Sequence, residues 1–188
     1  MTKIASIAFV LTLLASPLWA QTAEPSATTA TYGNWTVTCG AAVATGAATA
    51  QKVCQMTTKL NLKGNDGQVR PLLEIALGMP PGGDAPRFVV QVPIDVALRE
   101  ALVVSVDADT SAADPKPQTD LLTASYFACT AAGCIADAVL NSDAIAVLKV
   151  AKTTNVTFTA LAGAKKITVP VAMTGFGDAW AALGLPGP

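Results

Sequence analysis

Apolar and polar residues alternate along most of this chain, and the alternation predicts β-strands. The clearest case is a hairpin in which residues 54–62 and 69–77 place apolar side chains largely on one face. Gly64, Asp66 and Gly67 lie between the two strands and suit a tight turn. A second hairpin is predicted from residues 155–161 and 165–171. Pro170 in its return strand indicates a sheet edge, because proline cannot donate a ladder hydrogen bond.

The remaining pattern completes an antiparallel sheet. Further short strands are predicted at residues 35–39, 87–92, 101–106, 122–129 and 134–140. Two short helices are also predicted, over residues 143–150 after a cap at Asn141 or Ser142, and over residues 178–183. We therefore expect an all-β fold, a β-sandwich-like domain of about eight short antiparallel strands, although a closed β-sheet fits the same pattern. The residues expected in its core are Trp35, Val90, Val104, Phe158 and Val169.

The first twenty residues have the layout of a secretory signal peptide: Lys3, an apolar run over residues 4–14, Pro17 and a small residue at Ala20. The run is shorter than the roughly 20 apolar residues that span a bilayer, so an uncleaved membrane anchor is the weaker alternative. We expect a signal peptide over residues 1–20, a flexible leader over 21–31 and a single β-rich domain over 32–188.

Export determines where the protein would work. No second apolar stretch is long enough to cross a membrane, so no transmembrane segment is expected after signal cleavage. The expected location is the periplasm or the extracellular medium, and association with the outer membrane is compatible with it.

The chain has four cysteines, Cys39, Cys54, Cys129 and Cys134. Four cysteines allow three pairings, and the spacing favours two local pairs, Cys39–Cys54 and Cys129–Cys134. In an oxidising compartment an even number of cysteines indicates structural disulfides. One alternative is a redox-active pair, but the C-x4-C spacing differs from the C-x-x-C of thioredoxin-like enzymes. The other is a zinc site, which would need all four thiols reduced outside the cytoplasm.

Histidine is absent, which excludes several classes of chemistry. Neither a Ser-His-Asp triad nor a Cys-His pair can form, and no metal site can use histidine. The sequence also lacks the G-x-S-x-G, P-loop and dinucleotide-binding motifs. The net charge of −1 gives no electrostatic basis for binding nucleic acid. We expect no catalytic residues, no cofactor and no metal.

Several sequence landmarks occur in a fixed order: YGNWTVTC at 32–39, Cys54-Gln55, FVVQVPIDVAL at 88–98, VVSVD at 103–107, YFACTAAGC at 126–134 and GFGDAWAAL at 175–183. Together they resemble the invasion-associated locus B family of exported alphaproteobacterial proteins. The resemblance implies a periplasmic or surface-associated β-rich domain with no known enzymatic activity. It also implies a link to host-cell entry, which some pathogenic members of the family have.

Three functions fit these observations. The first is a non-enzymatic, exported interaction protein that binds an envelope or surface protein through sheet edges and loops. The second is a small-molecule or glycan binder that uses the loops at residues 79–86 and 109–120, which an aromatic-lined pocket would favour. The third is a carboxylate-based hydrolase, which would need two acidic side chains facing each other across a cleft.

Overall fold

The structure is a computed structural model that describes residues 27–46, 48–64, 66–107 and 119–185. The expected signal peptide and the first part of the expected leader lie outside the described residues. So does most of the loop at residues 109–120. Among the described residues, no helix is both long and apolar enough to span a membrane.

The described residues form ten strands and two α-helices. The strands are β1 (Ala27–Tyr32), β2 (Trp35–Ala42), β3 (Gln51–Lys63), β4 (Val69–Gly78), β5 (Arg87–Val92), β6 (Leu102–Val106), β7 (Thr119–Thr130), β8 (Gly133–Val139), β9 (Thr153–Thr159) and β10 (Lys166–Ala172). The helices are α1 (Ser142–Val150) and α2 (Phe176–Ala182). The all-β prediction is confirmed, with ten strands where about eight were expected.

The strands form one antiparallel sheet in the order β1-β2-β3-β4-β5-β8-β7-β6-β9-β10. Strand β7 connects the two halves of this sheet. Its first half, from Thr119 to Ala124, pairs with β6, and its second half, from Ser125 to Thr130, pairs with β8. A bulge at Phe127 lies within the second pairing. Such bulges bend a strand, which lets one strand serve two layers of a sandwich-like fold.

Strand β1 lies where a flexible leader was predicted. The domain therefore includes residues 27–31, which were expected to precede it. Residues 27–31, expected to be flexible, pair along β2 from Ala27 opposite Gly40 to Tyr32 opposite Trp35. The side chains of residues 27–31 are exposed, so backbone hydrogen bonds rather than burial hold this strand. A strand without a buried face has no hydrophobic alternation, and the sequence pattern therefore missed it.

The core lies between the inward faces of the strands. Trp35, Val90, Val104, Phe158 and Val169 are all buried, as predicted. Both predicted hairpins are present, as β3–β4 and β9–β10. Strand β10 is at the end of the sheet order, which confirms the edge position inferred from its proline.

The two helices cover the core beside the sheet. Helix α1 begins as predicted, because the Asn141 side chain accepts a hydrogen bond from the Ala144 amide at 2.8 Å. Helix α2 begins at Phe176, two residues before the predicted Asp178. Gly175, with φ +83°, lies in the turn between β10 and α2, and Phe176 packs against Trp35 with ring centroids 5.1 Å apart. Gly175 is therefore the N-cap residue of α2.

Candidate functional site

The two disulfides lie between directly opposed residues of neighbouring strands. Cys39 on β2 pairs with Cys54 on β3, and Cys129 on β7 pairs with Cys134 on β8. The Cα atoms are 4.0 Å apart in each pair. These are the two local pairings predicted from the spacing. Each disulfide joins two strands that are already paired through their backbones. This position is typical of a disulfide that stabilises the fold.

A groove of about 590 Å³ lies on the outer face of β3, β4, β5 and β8. The loop at residues 79–86, which connects β4 to β5, forms one wall. This loop was one of the two predicted contact loops. Its composition, with Pro80, Pro81 and Pro86, keeps it out of the sheet and leaves it standing beside the strands.

Small outward side chains make the floor of the groove. Val53, Ala76 and Val89 project from β3, β4 and β5, and Gly78 has no side chain. A Cβ on Gly78 would come within 2.7 Å of the Cys54 carbonyl oxygen, so glycine allows the end of β4 to lie close against β3. The floor is therefore apolar and shallow, unlike the charged outer surface farther along the same strands, where Lys59 pairs with Glu74 at 2.9 Å.

A partly buried ion pair lies in the groove. The guanidinium of Arg87 on β5 binds the carboxylate of Asp137 on β8, and both residues line the groove. Asp137 is the more buried partner, with 21% of its side chain exposed against 40% for Arg87. A partly buried pair is screened less than one in open water, so it offers a defined donor and acceptor to a ligand.

A second groove of about 370 Å³ lies on the other side of the same loop. Its walls are residues 51–54 of β3, the loop residues 79–83, and residues 182–185 after α2. The loop is thus a ridge between two depressions, and one partner could contact both. We call this surface, consisting of the two grooves and residues 79–86, the loop ridge.

The large aromatic residues Trp35, Phe158, Phe176 and Trp180 lie in the core. Trp35, Phe158 and Phe176 are at most 3% exposed, and Trp180 is 9% exposed. Phe176 also stacks on Trp180 with centroids 6.1 Å apart. None of the described residues that line the two grooves is aromatic. The pattern that would favour a glycan binder is therefore not present at the loop ridge.

The acidic residues do not form a recognisable metal centre. Within the described ranges, no group of three or more cysteines and acidic residues is placed to hold a metal ion. In the larger groove the carboxylates are Asp84 and Asp137, and Asp137 is held by Arg87. This ion pair was not predicted, because Arg87 and Asp137 lie 50 positions apart in the chain. The only sequence signal was that Arg87 begins a strand directly after the proline-rich loop.

Comparison with known proteins identifies the family. The family model described as invasion associated locus B (IalB) protein matches residues 35–184. The crystal structure of invasion associated protein b from Bartonella henselae is similar with a TM-score of 0.61 and 22% sequence identity, covering 83% of this chain and 94% of that chain. No curated protein matches the sequence. Since the family model spans most of the sequence, the chain belongs to the invasion associated locus B family.

Proposed function

We propose that this protein is an exported, non-enzymatic interaction protein of the cell envelope, and that the loop ridge is where it binds a partner protein. The observation that carries the proposal is the pair of open grooves on either side of residues 79–86. The apolar floor of the larger groove and its Arg87–Asp137 pair resemble the apolar core and polar contacts of protein interfaces.

Export is part of the same proposal. Two disulfides are typical of proteins that fold in an oxidising compartment, and the family assignment supports an extracytoplasmic location. The periplasm is the first place to look for the partner. The surface of the outer membrane and the extracellular medium follow, because some members of the family are linked to host-cell entry.

Two other functions have less support. A glycan site would be expected to present aromatic rings, and the described residues lining the grooves include none. A carboxylate-based hydrolase would need two free carboxyl groups across a cleft. In the larger groove one of the two carboxylates is already occupied by Arg87.

The test is affinity capture from the native cell envelope with the exported chain as bait. In the Ala76→Trp variant an indole would fill the floor of the larger groove without entering the core, since Ala76 is an outward-facing residue of β4. The matched control is Thr123→Trp, an exposed position on β7. We expect the wild type and the control to capture the same partner and Ala76→Trp to lose it.

Equal capture by all three forms would remove the loop ridge from the proposal. Turnover of a glycan or peptide by the purified protein, lost in Asp84→Asn or Asp137→Asn, would instead establish an enzyme and overturn the non-enzymatic assignment.

A further inference from the structure

A second surface lies at the opposite end of β5 from the loop ridge. The segment between β5 and β6, residues 93–101, is bound to the turn between β9 and β10. The Leu161 amide donates to the Asp95 carbonyl oxygen at 2.8 Å, and the Ala97 amide donates to the Thr159 carbonyl oxygen at 2.9 Å. These bonds make one braced surface, which we call the apolar tip and define as residues 94–100 with 161–166.

The apolar tip exposes large aliphatic side chains. Ile94 and Leu98 are each 54% exposed, and Leu161 is 64% exposed. Between the first two, Val96 is buried at 5% and forms an isolated bridge with Ala160. Val96 therefore anchors the segment in the core, and the side chains of Ile94 and Leu98, two positions away on either side, remain exposed to water. Exposed aliphatic side chains that are grouped on one surface are a feature of interaction sites.

The apolar tip also carries three basic side chains. Arg99, Lys165 and Lys166 are exposed, and none of them is in an ion pair within the described part of the chain. The acidic residues of the tip are Asp95 and Glu100, and the Glu100 carboxylate accepts a hydrogen bond from the Thr159 hydroxyl at 2.7 Å. With three basic and two acidic side chains, the tip carries a net charge of +1, whereas the whole chain has a net charge of −1.

The shape and chemistry of the tip favour one kind of partner. All six residues from Leu161 to Lys166 are exposed, so the turn protrudes instead of forming a groove. Protein interfaces are depleted in lysine, and their dominant contacts come from tryptophan, tyrosine and arginine. Aliphatic side chains among lysines and arginines are instead typical of surfaces that enter the boundary between lipid headgroups and acyl chains.

We propose that the apolar tip docks this protein onto the surface of an anionic phospholipid bilayer. Ile94, Leu98 and Leu161 insert between the headgroups, while Arg99, Lys165 and Lys166 contact their phosphates. Because the loop ridge lies at the other end of β5, a docked molecule keeps both grooves available. The proposal does not depend on the partner proposed for the loop ridge.

The test is sedimentation of the exported, disulfide-bonded chain with vesicles. One set contains equal parts of phosphatidylglycerol and phosphatidylethanolamine, and the other contains phosphatidylcholine alone. We expect binding to the anionic vesicles that weakens with added salt, because screening reduces the attraction to headgroup phosphates. No binding of the wild type to the anionic vesicles would overturn the proposal.

Two sets of variants locate the contact. Replacing Ile94, Leu98 and Leu161 together by serine should weaken binding roughly tenfold or more. The matched control replaces Val43, Val139 and Val150 by serine, since these are similarly exposed aliphatic residues elsewhere on the surface. Equal binding by the two triple variants would overturn the proposal.

Two further measurements test the contribution of the lysines and the possibility that a second copy of the chain covers the tip. Lys165→Gln with Lys166→Gln should weaken binding to anionic vesicles by roughly fivefold per charge, and this variant does not alter the apolar groups. Unchanged binding in it would count against the headgroup contacts. If the tip variants abolish a dimer, measured by light scattering, and leave vesicle binding unchanged, a second copy of the chain is the occupant and the lipid proposal is wrong.

Discussion

Gly33 and Gly175 lie against each other's backbone where the turn between β1 and β2 meets the segment before α2. A Cβ on Gly175 would overlap the Tyr32 carbonyl oxygen, and one on Gly33 would overlap that of Thr174. The Asn34 amide also donates to the Thr174 carbonyl oxygen at 3.0 Å. Since β1 and β10 are the two ends of the sheet order, this contact joins the beginning of the sheet to the segment that follows its end.

Gly175→Ala is therefore expected to be strongly destabilising. The alanine would be held at φ +83° and would also overlap the neighbouring backbone, for a combined cost of about 2–5 kcal/mol. The matched control is Gly163→Ala, where φ is +71° but no atom lies within 4 Å of the added Cβ. It should cost only the conformational part, about 1–2 kcal/mol. Urea unfolding measures both, and equal losses would show that the close approach contributes nothing.

Local patterns were sufficient to predict the hairpins of this fold. In β3–β4 and β9–β10 the two strands and their turn are consecutive, so the alternation and the turn residues lie within about 25 positions. The same is true of the cap at Asn141, which needs only the following three residues. Patterns of this kind were visible because the interacting groups are close in sequence.

The order of the strands and the groove were not predictable in the same way. The Arg87–Asp137 pair of the larger groove exists because β5 pairs with β8, two strands separated by β6 and β7 in the chain. Nothing near Arg87 in the sequence indicates that Asp137 will be its partner. Strand β1 was missed for a different reason, since its small exposed residues carry no hydrophobic signal.

The two disulfides should contribute unequally to stability. In the chain-entropy model the stabilisation grows with the length of the closed loop, to about 3 kcal/mol for 15 residues and about 2 kcal/mol for five. The separations here are 15 residues for Cys39–Cys54 and 5 for Cys129–Cys134. Replacing both members of each pair by alanine and measuring urea unfolding should show a larger loss for the first pair.

Peptide mapping of the exported protein under non-reducing conditions checks the pairing itself. The expected linked peptides join Cys39 to Cys54 and Cys129 to Cys134. A peptide that joins Cys39 to Cys129, or free thiols in the exported protein, would contradict the assignment.

Val104→Asp should prevent folding. Val104 is 1% exposed and lies between Leu122 of β7 and Val156 of β9, so an aspartate there would be a buried charge without a partner. Such a charge costs several kcal/mol, comparable to the total stability of many domains. Val139→Asp, at a strand position that is 52% exposed, is the control and should melt close to the wild type. Circular dichroism during heating distinguishes the two, and a normal melt for Val104→Asp would refute its core position.

Because the Tyr126 hydroxyl is buried, we expect the folded protein to lose stability at alkaline pH. This hydroxyl has no hydrogen-bond partner among the described residues, and desolvation raises its pKa from 10.0 to about 12. The unfolded chain therefore releases this proton first, as the pH rises above 10. Stability from the neutral hydroxyl is complete below pH 10 and is lost progressively toward pH 12.

The variant that isolates this contribution is Tyr126→Phe. Phenylalanine keeps the ring and removes a hydroxyl that has no partner, so at neutral pH its stability should stay within about 1 kcal/mol of the wild type. Urea unfolding of both forms from about pH 8 to about pH 11.5 gives the comparison, because other titrating groups affect both alike. The wild type should lose stability relative to the variant only above about pH 10. A difference between the two forms that stays constant with pH would mean that Tyr126 ionises as readily in the folded protein as in the unfolded chain.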